Sequence, residues 1–133
     1  TYGDGVADVN IQKLLEFHQS HGKIGTLTAI EIDQRFGVLG VDDANNIHTF
    51  SEKTDNESRS VNGGYMVFEP AIFEYLRGDR VPFEKAPLEN LAKDGQLKAY
   101  RHHGFWQCMD TQREKEKLEE MWADGNAPWK VWQ

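Results

Sequence analysis

Cysteine, long apolar runs and positive charge are all scarce in this sequence, and each shortage excludes a class of protein. Cys108 is the single cysteine among 133 residues, so no disulfide can form within the chain, and a reducing, cytoplasmic compartment is expected. No apolar run approaches the roughly 20 residues of a membrane-spanning helix. We therefore expect no membrane partner.

Acidic residues outnumber basic ones. The sequence carries 15 basic and 22 acidic residues, a net charge of −7. Because phosphate backbones are bound by basic surfaces, nucleic acid is excluded as a partner. An anionic small substrate would need local positive charge or a metal ion to offset this field. The sequence also lacks Walker, dinucleotide-binding, serine-elbow and zinc-spacing motifs.

The first eight residues carry the strongest indication of a site. Asp4 stands between Gly3 and Gly5, and glycine lets a backbone bend sharply and lets a ligand approach closely. Asp4 would then project as a hard oxygen ligand, of the type that Mg²⁺ accepts together with substrate phosphates. We expect the carboxyl end of a strand, a metal-binding loop and a helix capped by Asp8. A frayed terminal loop that ends in a helix cap is the alternative.

The order of the remaining elements predicts an α/β fold. Helices are predicted over 8–22, 71–77, 88–94 and 111–124, and strands over 24–32, 36–41, 47–50, 65–68, 97–102 and 105–109. The run 24–32, which is uncharged except for Glu31, is typical of a central strand covered on both faces. With the helix and the strand end before it, this run would form a βαβ unit. The Asx-rich turn at 42–46 predicts a β-hairpin.

The last helix and the tail have recognisable patterns. A capping box starts at Thr111, in which two side chains satisfy free backbone N–H groups reciprocally. The predicted buried stripe of this helix consists of Leu118, Met121 and Trp122. The aromatic tail 126–132 is expected to dock on the body or on a second subunit.

The histidines and the cysteine have structural explanations. His18 lies on the apolar face of the first predicted helix, where a packed, hydrogen-bonded histidine is more common than a ligand. His102 and His103 are neighbours on a predicted strand and so point to opposite faces, which argues against a joint metal site. Cys108 is expected to be a buried thiol, because no nearby residue marks it as activated.

Two acidic residues occur in the same setting at opposite ends of the sequence. Asp4 and Asp110 each follow a predicted strand and precede a capped helix. Two carboxylates at strand ends of one sheet can converge on one divalent cation, which would bridge phosphate oxygens in phosphoryl or nucleotidyl transfer. For Asp110 the alternative is an acid that flanks a helix, beside the positive end of the helix dipole.

Lys53 is the leading cationic candidate. It follows Glu52 at the end of a predicted strand and is close in sequence to Gly63 and Gly64. Two adjacent glycines suggest a close backbone approach to another segment or to a ligand. A lysine there can anchor a phosphate as a point charge. An ordinary surface lysine is the alternative.

Seven segments together resemble a known family. They are Thr1-Tyr-Gly-Asp-Gly-Val6, Arg35-Phe-Gly37, Phe50-Ser-Glu-Lys53, Asn62-Gly-Gly64, Pro87-Leu-Glu89, Phe105-Trp-Gln-Cys-Met-Asp-Thr111 and Asn126-Ala-Pro-Trp-Lys-Val-Trp132. In this order they resemble the glucose-1-phosphate cytidylyltransferases, or CDP-glucose pyrophosphorylases, of the sugar nucleotidyltransferase superfamily. The last two segments favour the cytidylyl branch over the thymidylyl and uridylyl branches.

The resemblance implies a fold and a reaction. The fold would be a Rossmann-like mixed sheet flanked by helices, with a β-hairpin insertion. The reaction would transfer a cytidylyl group from CTP to α-D-glucose 1-phosphate by direct in-line displacement with Mg²⁺, giving CDP-glucose and pyrophosphate. CDP-glucose feeds the synthesis of dideoxy sugars of bacterial surface polysaccharides, such as lipopolysaccharide O-antigen. The family forms homo-oligomers.

The resemblance also implies residue roles. Asp4 and Asp110 match metal ligands, and Gly3 matches a backbone position that contacts the nucleotide. Lys53 matches the lysine that holds the sugar phosphate. The further matches, in the sugar-contacting region, are Glu52, Asn62 and Gly63.

Two departures from the family pattern affect these expectations. Thr54 stands where the family usually has proline, and the loop 55–60 lacks an aromatic residue. The family's N-terminal half, with its Gly-rich nucleotide loop, has no counterpart here. Residues 1–133 are therefore predicted to be the C-terminal half of one domain and to be inactive alone. A sister enzyme with another base or sugar, or a non-catalytic remnant used in assembly or ligand sensing, are the alternatives.

Overall fold

A computed structural model describes residues 1–31, 38–51 and 60–132. Its strands are β1 (Gly5–Ala7), β2 (Gly25–Glu31), β3 (Val38–Val41), β4 (Ile47–Ser51), β5 (Ser60–Phe68), β6 (Leu97–His102) and β7 (Trp106–Cys108). Its helices are α1 (Ile11–His21), a 3₁₀ helix (Pro70–Tyr75), α2 (Ala86–Lys93) and α3 (Gln112–Ala123). Across these described ranges, no helix has both the length and the apolar character that crossing a bilayer requires.

A mixed three-stranded sheet in the order β5-β2-β6 forms the centre of the fold. Its middle strand, β2, is antiparallel to β5 and parallel to β6. Residues 25–30 of β2 are all buried, which confirms the prediction of a central strand covered on both faces. The mixed sheet with its flanking helices confirms the α/β class.

The hydrophobic core lies between this sheet, the hairpin β3–β4 and helix α2. Its buried members are Leu27, Ala29, Leu39, Ile47, Ile72, Leu88, Leu91, Ala92, Leu97 and Ala99. The predicted hairpin is confirmed, and Asp42 shapes its turn by accepting the N–H groups of Ala44 and Asn46, each at 2.9 Å. The turn docks on β6, because the Ala99 N–H donates to the Asn45 carbonyl at 2.9 Å.

Strand β1 corrects the prediction for the first residues. The sequence predicts a strand before the turn at Asp4, whereas β1 follows Asp4. β1 pairs antiparallel with β7 in a separate two-stranded sheet, so it is not the parallel partner of the run 24–32, and a βαβ unit with a strand that ends before Asp4 stays a prediction. The local sequence could not show this, because the pairing partner of β1 lies at the other end of the chain.

Helix α1 begins later than predicted. Its N-cap is Asn10 and not Asp8: the Asn10 side chain accepts a hydrogen bond from the Lys13 N–H at 3.0 Å. Asp8 is instead engaged by His102, whose Nε2 lies 2.9 Å from the Asp8 carboxylate. Gly22 ends the helix with a φ of 66°, as predicted.

Two predicted helices form, but one buries less of its apolar face than expected and the other is a 3₁₀ helix. On the predicted apolar face of α1, Leu14 and His18 are buried, but Ile11 and Leu15 are 57% and 38% exposed. The short helix predicted over 71–77 is present as a 3₁₀ helix at Pro70–Tyr75. The sequence pattern therefore identifies both helices. How much of the apolar face of α1 is buried depends on the segments that pack against it.

Helix α3 begins with the predicted capping box, but only part of its predicted apolar stripe is buried. The capping box is confirmed: Thr111 Oγ1 accepts from the Glu114 N–H at 3.2 Å, and Glu114 accepts from the Thr111 N–H at 2.9 Å. Of the predicted stripe only Leu118 is buried. Met121 is partly buried, and Trp122 is exposed.

The tail docks on the body through one tryptophan. The Trp129 ring lies 5.5 Å from the Phe105 ring and 6.5 Å from the Trp122 ring, measured between centroids. Val131 and Trp132 are exposed beyond this contact. Docking on the body is thus confirmed for Trp129, and a role in subunit contacts stays a prediction.

Strand β5 begins at Ser60 rather than at Tyr65, so Asn62 and Gly63 lie within the strand. Gly63 faces β2 closely: a Cβ at this position would be 2.6 Å from the Ile30 Cγ1 atom. The glycine pair therefore serves a close approach to another segment, which is one of its two predicted explanations.

A buried network joins α1 to the central sheet, and it explains His18. The Lys23 N–H donates to His21 Nδ1 at 2.9 Å, so the proton of neutral His21 sits on Nε2 and faces Thr26 Oγ1 at 2.7 Å. Thr26 then donates to His18 Nδ1 at 2.8 Å, and His18 Nε2 donates to Glu69 at 3.0 Å. Burial, followed by the charges of neighbouring basic residues, lowers the pKa of His21. The predicted hydrogen-bonded histidine is confirmed.

Thr26 and Thr28 offer a matched pair of substitutions on β2. Both are fully buried, but Thr28 Oγ1 has no hydrogen-bond partner within the described ranges. Thr26→Val is expected to lower the free energy of unfolding by about 1–3 kcal/mol, because it leaves buried ring nitrogens unpaired. Thr28→Val should change it by less than about 0.5 kcal/mol or raise it. Urea denaturation measures both variants, and equal losses would contradict the network.

Candidate functional site

A cavity of about 180 Å³ lies between the β1–β7 pair and strand β5. Its lining residues are Thr1, Tyr2, Asp4, Gly5, Asn62, Gly63, Trp106, Cys108 and Asp110. Four of the residues predicted from the sequence, Asp4, Asp110, Asn62 and Gly63, are thus brought together. The acids lie on the β1–β7 side and the other two on the β5 side.

Antiparallel pairing of β1 with β7 explains why Asp4 and Asp110 share this cavity. Gly5 at the start of β1 pairs with Cys108 at the end of β7, so the residues before β1 and after β7 lie at the same end of the ladder. The Met109 N–H donates to the Asp4 carbonyl at 2.7 Å, which extends the ladder to the acids. The sequence predicts convergence from two strand ends, whereas the structure uses one strand start and one strand end.

Glu114 in the first turn of α3 holds the backbone of Asp110. Glu114 Oε2 accepts the N–H groups of Asp110 at 3.0 Å and Thr111 at 2.9 Å. Burial raises the pKa of Glu114, but the hydrogen bonds from Thr111 and Asp110 outweigh it, so the pKa lies below its ordinary value. Glu114 is therefore charged at neutral pH, where it also complements the positive end of the helix dipole.

Cys108 lies in the cavity wall beside these acids. It is buried, and its thiol donates to Glu114 Oε1 at 3.6 Å. Burial first, and then the charges of Glu114 and Asp110, raise the pKa of the Cys108 thiol to about 11. The thiol is therefore protonated at neutral pH, which confirms the prediction of a buried cysteine that is not activated.

The donor chemistry of the cavity fits a hard divalent cation. Asp4 and Asp110 offer carboxylate oxygens, which are ligands that Mg²⁺ prefers. Ligand atoms of Cys108, Asp110 and Glu114 also lie within 4.8 Å of one another. A protonated thiol is a poor ligand, however, and Glu114 is engaged by backbone N–H groups. Asp4 and Asp110 are therefore the residues that would hold Mg²⁺, and this role stays a prediction.

Two aromatic residues that the sequence analysis missed join the walls of the cavity. The Trp106 indole N–H on β7 donates to the Gly63 carbonyl on β5 at 2.8 Å. The Tyr2 N–H donates to the Gly64 carbonyl at 3.3 Å. The sequence does show an aromatic residue close to each predicted acidic loop, and a glycine pair that leaves room for an aromatic ring. Only the pairing of the strands shows that the two aromatic residues contact this glycine pair.

The remaining predicted site residues are Gly3, Glu52 and Lys53. Gly3 lies in the exposed turn before β1, where an added Cβ would meet nothing within 4 Å. It does not line the cavity, and its contact with a nucleotide stays a prediction. Glu52 and Lys53 fall outside the described residues, so their contacts with sugar and phosphate stay predictions as well.

His102 and Asp8 form a second pair, next to the loop before β7. His102 Nε2 donates to the Phe105 carbonyl at 3.1 Å and lies 2.9 Å from Asp8 Oδ1, an atom that has no hydrogen-bond partner within the described residues. Gly104 is packed against this pair, and a Cβ there would clash with Asp8 Oδ1. The pair holds the loop and does not line the cavity.

Comparison with known proteins identifies related sequences and folds. The family model described as nucleotidyl transferase matches residues 1–126. Glucose-1-phosphate cytidylyltransferase of Salmonella typhi is 44% identical over 133 residues, which is 100% of this chain and 51% of that protein. The catalytic subunit beta of mannose-1-phosphate guanylyltransferase of Danio rerio is 34% identical over 119 residues, 86% of this chain and 32% of that protein.

Solved structures show the same fold. HddC from Yersinia pseudotuberculosis matches with a TM-score of 0.72 and 23% identity, covering 90% of this chain and 52% of that chain. The chain therefore spans about half the length of HddC and of the Salmonella typhi enzyme, and about a third of the Danio rerio subunit.

Cys108 allows the electrostatics of the cavity to be measured. With a pKa of about 11, the thiol of the folded, metal-free chain should react with iodoacetamide at pH 8 about 100-fold more slowly than that of the urea-unfolded chain, because less thiolate is present. The rate should keep rising with pH toward that pKa. Glu114→Gln should speed the reaction by removing a neighbouring charge. Equal rates in the folded and unfolded chains would contradict this account.

Proposed function

This chain belongs to the nucleotidyl transferase family, and we propose that it supplies part of the active site of a glucose-1-phosphate cytidylyltransferase. The reaction would transfer the cytidylyl group of CTP to α-D-glucose 1-phosphate and release pyrophosphate. The observation that carries this proposal is the single cavity that gathers Asp4 and Asp110 with Asn62 and Gly63. The 44% identity to the Salmonella typhi enzyme favours cytidine and glucose over other bases and sugars.

In the proposed mechanism Asp4 and Asp110 would hold Mg²⁺, which when bound would offset the charge on the reacting phosphates. The strand ladder and Glu114 fix the backbone positions of both acids at the cavity. The sugar phosphate oxygen attacks the α-phosphorus of CTP in line, pyrophosphate leaves, and no covalent enzyme intermediate forms. Catalysis is then positioning and charge neutralisation.

The sugar phosphate would lie against the β5 side of the cavity. Asn62 and Gly63 supply polar contacts there, and Glu52 contacts the sugar. Lys53 holds the phosphate as a point charge. With a net charge of −7 on the chain, a local cation is needed to attract an anionic substrate.

Residues 1–133 correspond to only part of the related enzymes, so other residues would be needed to complete the active site. The chain covers 51% of the Salmonella typhi enzyme. We propose that residues 1–133 form the C-terminal half of one cytoplasmic domain, and that a Gly-rich loop of the other half binds most of CTP. Residues 1–133 alone then do not turn over CTP. Homo-oligomers are part of the same proposal, with the exposed Val131 and Trp132 available for contact.

A sister enzyme with another base is the second candidate function. The observation in its favour is the 34% identity to the guanylyltransferase subunit of Danio rerio. A non-catalytic remnant would keep the fold and the cavity without turnover.

The base preference is tested with the protein encoded by the complete reading frame that contains residues 1–133. Pyrophosphate release is measured with glucose 1-phosphate, Mg²⁺ and each of the nucleoside triphosphates in turn. We expect CTP to react fastest and residues 1–133 alone to be inactive. A preference for another triphosphate would establish the sister enzyme, and no release with any of them would establish the remnant.

The roles of the two acids are tested in the same protein. Asp4→Ala and Asp110→Ala should each lower kcat at least about 100-fold, because charge stabilisation in the transition state is lost. Asp43→Ala is the matched control, since Asp43 is exposed in the hairpin turn and should leave kcat unchanged. Calorimetric titration with Mg²⁺ should show weaker binding for the first two variants only. An unchanged kcat after Asp110→Ala would remove the metal role.

A further inference from the structure

We propose that Tyr2 and Glu84 are positioning residues, which fix the side-chain amide of Asn62 so that it donates a hydrogen bond to the bound sugar. This inference deepens the proposed transfer to a sugar 1-phosphate and rests on it. Asn62 and Tyr2 line the cavity, and Glu84 lies in the loop before α2. The three side chains come from distant parts of the sequence and form one hydrogen-bonded chain.

The direction of each hydrogen bond in this chain follows from the donors present. The Gly64 N–H can only donate, and Asn62 Oδ1 accepts it at 3.0 Å. Asn62 Nδ2 therefore faces the Tyr2 hydroxyl, 3.4 Å away, and donates to it. The Tyr2 O–H is left to donate to Glu84 Oε1, at 2.6 Å.

The alternative orientation of the Asn62 amide is excluded by the same partners. A flipped amide would set Nδ2 against the Gly64 N–H, donor against donor, and Oδ1 against the lone pairs of Tyr2. The Tyr2 hydroxyl lies 2.6 Å from Glu84 Oε1, an acceptor only, so its proton is directed at Glu84.

The Tyr2 ring is itself held in place by Gly64. A Cβ on Gly64 would be 2.6 Å from Tyr2 Cδ2, so the ring occupies the space that any side chain would need. Gly64 also has a φ of 83°, a conformation that glycine adopts without strain. The Tyr2 N–H also donates a hydrogen bond to the Gly64 carbonyl, which fixes the backbone of Tyr2 next to the glycine. Gly64 thus serves to place the tyrosine hydroxyl beside Asn62.

A fixed amide has a consequence for the ligand. Asn62 Nδ2 carries two protons, and Tyr2 accepts one of them, which leaves the second for an acceptor oxygen of the sugar. A donor that is already oriented loses little rotamer freedom when the ligand binds. The three side chains should therefore affect the binding of the sugar phosphate and not that of the nucleoside triphosphate.

Tyr2→Phe tests this in the protein from the complete reading frame, because it keeps the ring on Gly64 and removes the hydroxyl. We expect the KM for glucose 1-phosphate to rise about 3- to 10-fold, the range for one lost hydrogen bond, with the KM for CTP unchanged. Tyr75→Phe is the matched control: the Tyr75 hydroxyl donates to Asp94 at 2.8 Å, and neither residue lines the cavity. It should leave both KM values unchanged.

Two variants of Glu84 separate the hydrogen bond from the charge. Glu84→Gln keeps an oxygen that can accept the Tyr2 proton, so its KM for glucose 1-phosphate should stay close to the wild-type value. Glu84→Ala removes the acceptor and should raise this KM. Urea denaturation of all the variants shows whether any change in KM follows a general loss of stability.

A second measurement needs no substrate. In protein labelled with ¹⁵N-asparagine, the side-chain amide signals of Asn62 are assigned by their loss in Asn62→Asp. Tyr2→Phe should shift these signals and speed their exchange with solvent, and Tyr75→Phe should not.

The outcomes separate this inference from the proposed function. Unchanged Asn62 signals in Tyr2→Phe, or an equal rise in both KM values, would overturn the positioning role while wild-type turnover upholds the function. If the signals move as expected but the wild-type protein releases no pyrophosphate and binds no glucose 1-phosphate, the proposed function fails, and the role toward a bound sugar fails with it.

Discussion

The antiparallel pairing of β1 with β7 is the constraint on which the candidate site depends. The register that sets Gly5 opposite Cys108, extended by the hydrogen bond from Met109 to Asp4, brings the two ends of the sequence together. Two carboxylates repel each other, so their own side chains would not hold them in one cavity. Backbone hydrogen bonds between β1 and β7 keep the two acidic residues close together, and Glu114 contributes by accepting the Asp110 N–H.

The cavity lies between two separate sheets, so its shape depends on the bonds that join them. Trp106 reaches from β7 to the Gly63 carbonyl, and Tyr2 reaches from the start of the chain to Gly64. Both bonds end on glycines, which allow a close approach because they carry no side chain. The acids on one side and the Asn62 amide on the other then face each other across the cavity.

Features that depend on neighbours in sequence were predictable, and those that depend on distant partners were not. The capping box at Thr111, the hairpin and the buried run of β2 follow from local patterns, and the structure confirms them. The N-cap was predicted at Asp8 because aspartate is a good cap, but His102 engages that carboxylate and Asn10 takes its place. Trp122 fits a helical stripe, yet its ring packs against Trp129 of the tail instead of the core and stays exposed. Propensity is a weak prior, which tertiary contacts override.

The sequence by itself determined the α/β class, the family resemblance and four of the residues that line the cavity. Residue type and position indicated Asp4, Asp110 and Gly63, and the resemblance indicated Asn62. Tertiary structure alone decided that Asp4 precedes a strand, that this strand pairs with β7, and that Tyr2 and Glu84 hold the Asn62 amide. The physical reason is that strand pairing and side-chain contacts join residues that are far apart in the chain. Their geometry is set by the whole fold, and no local pattern of residues records it.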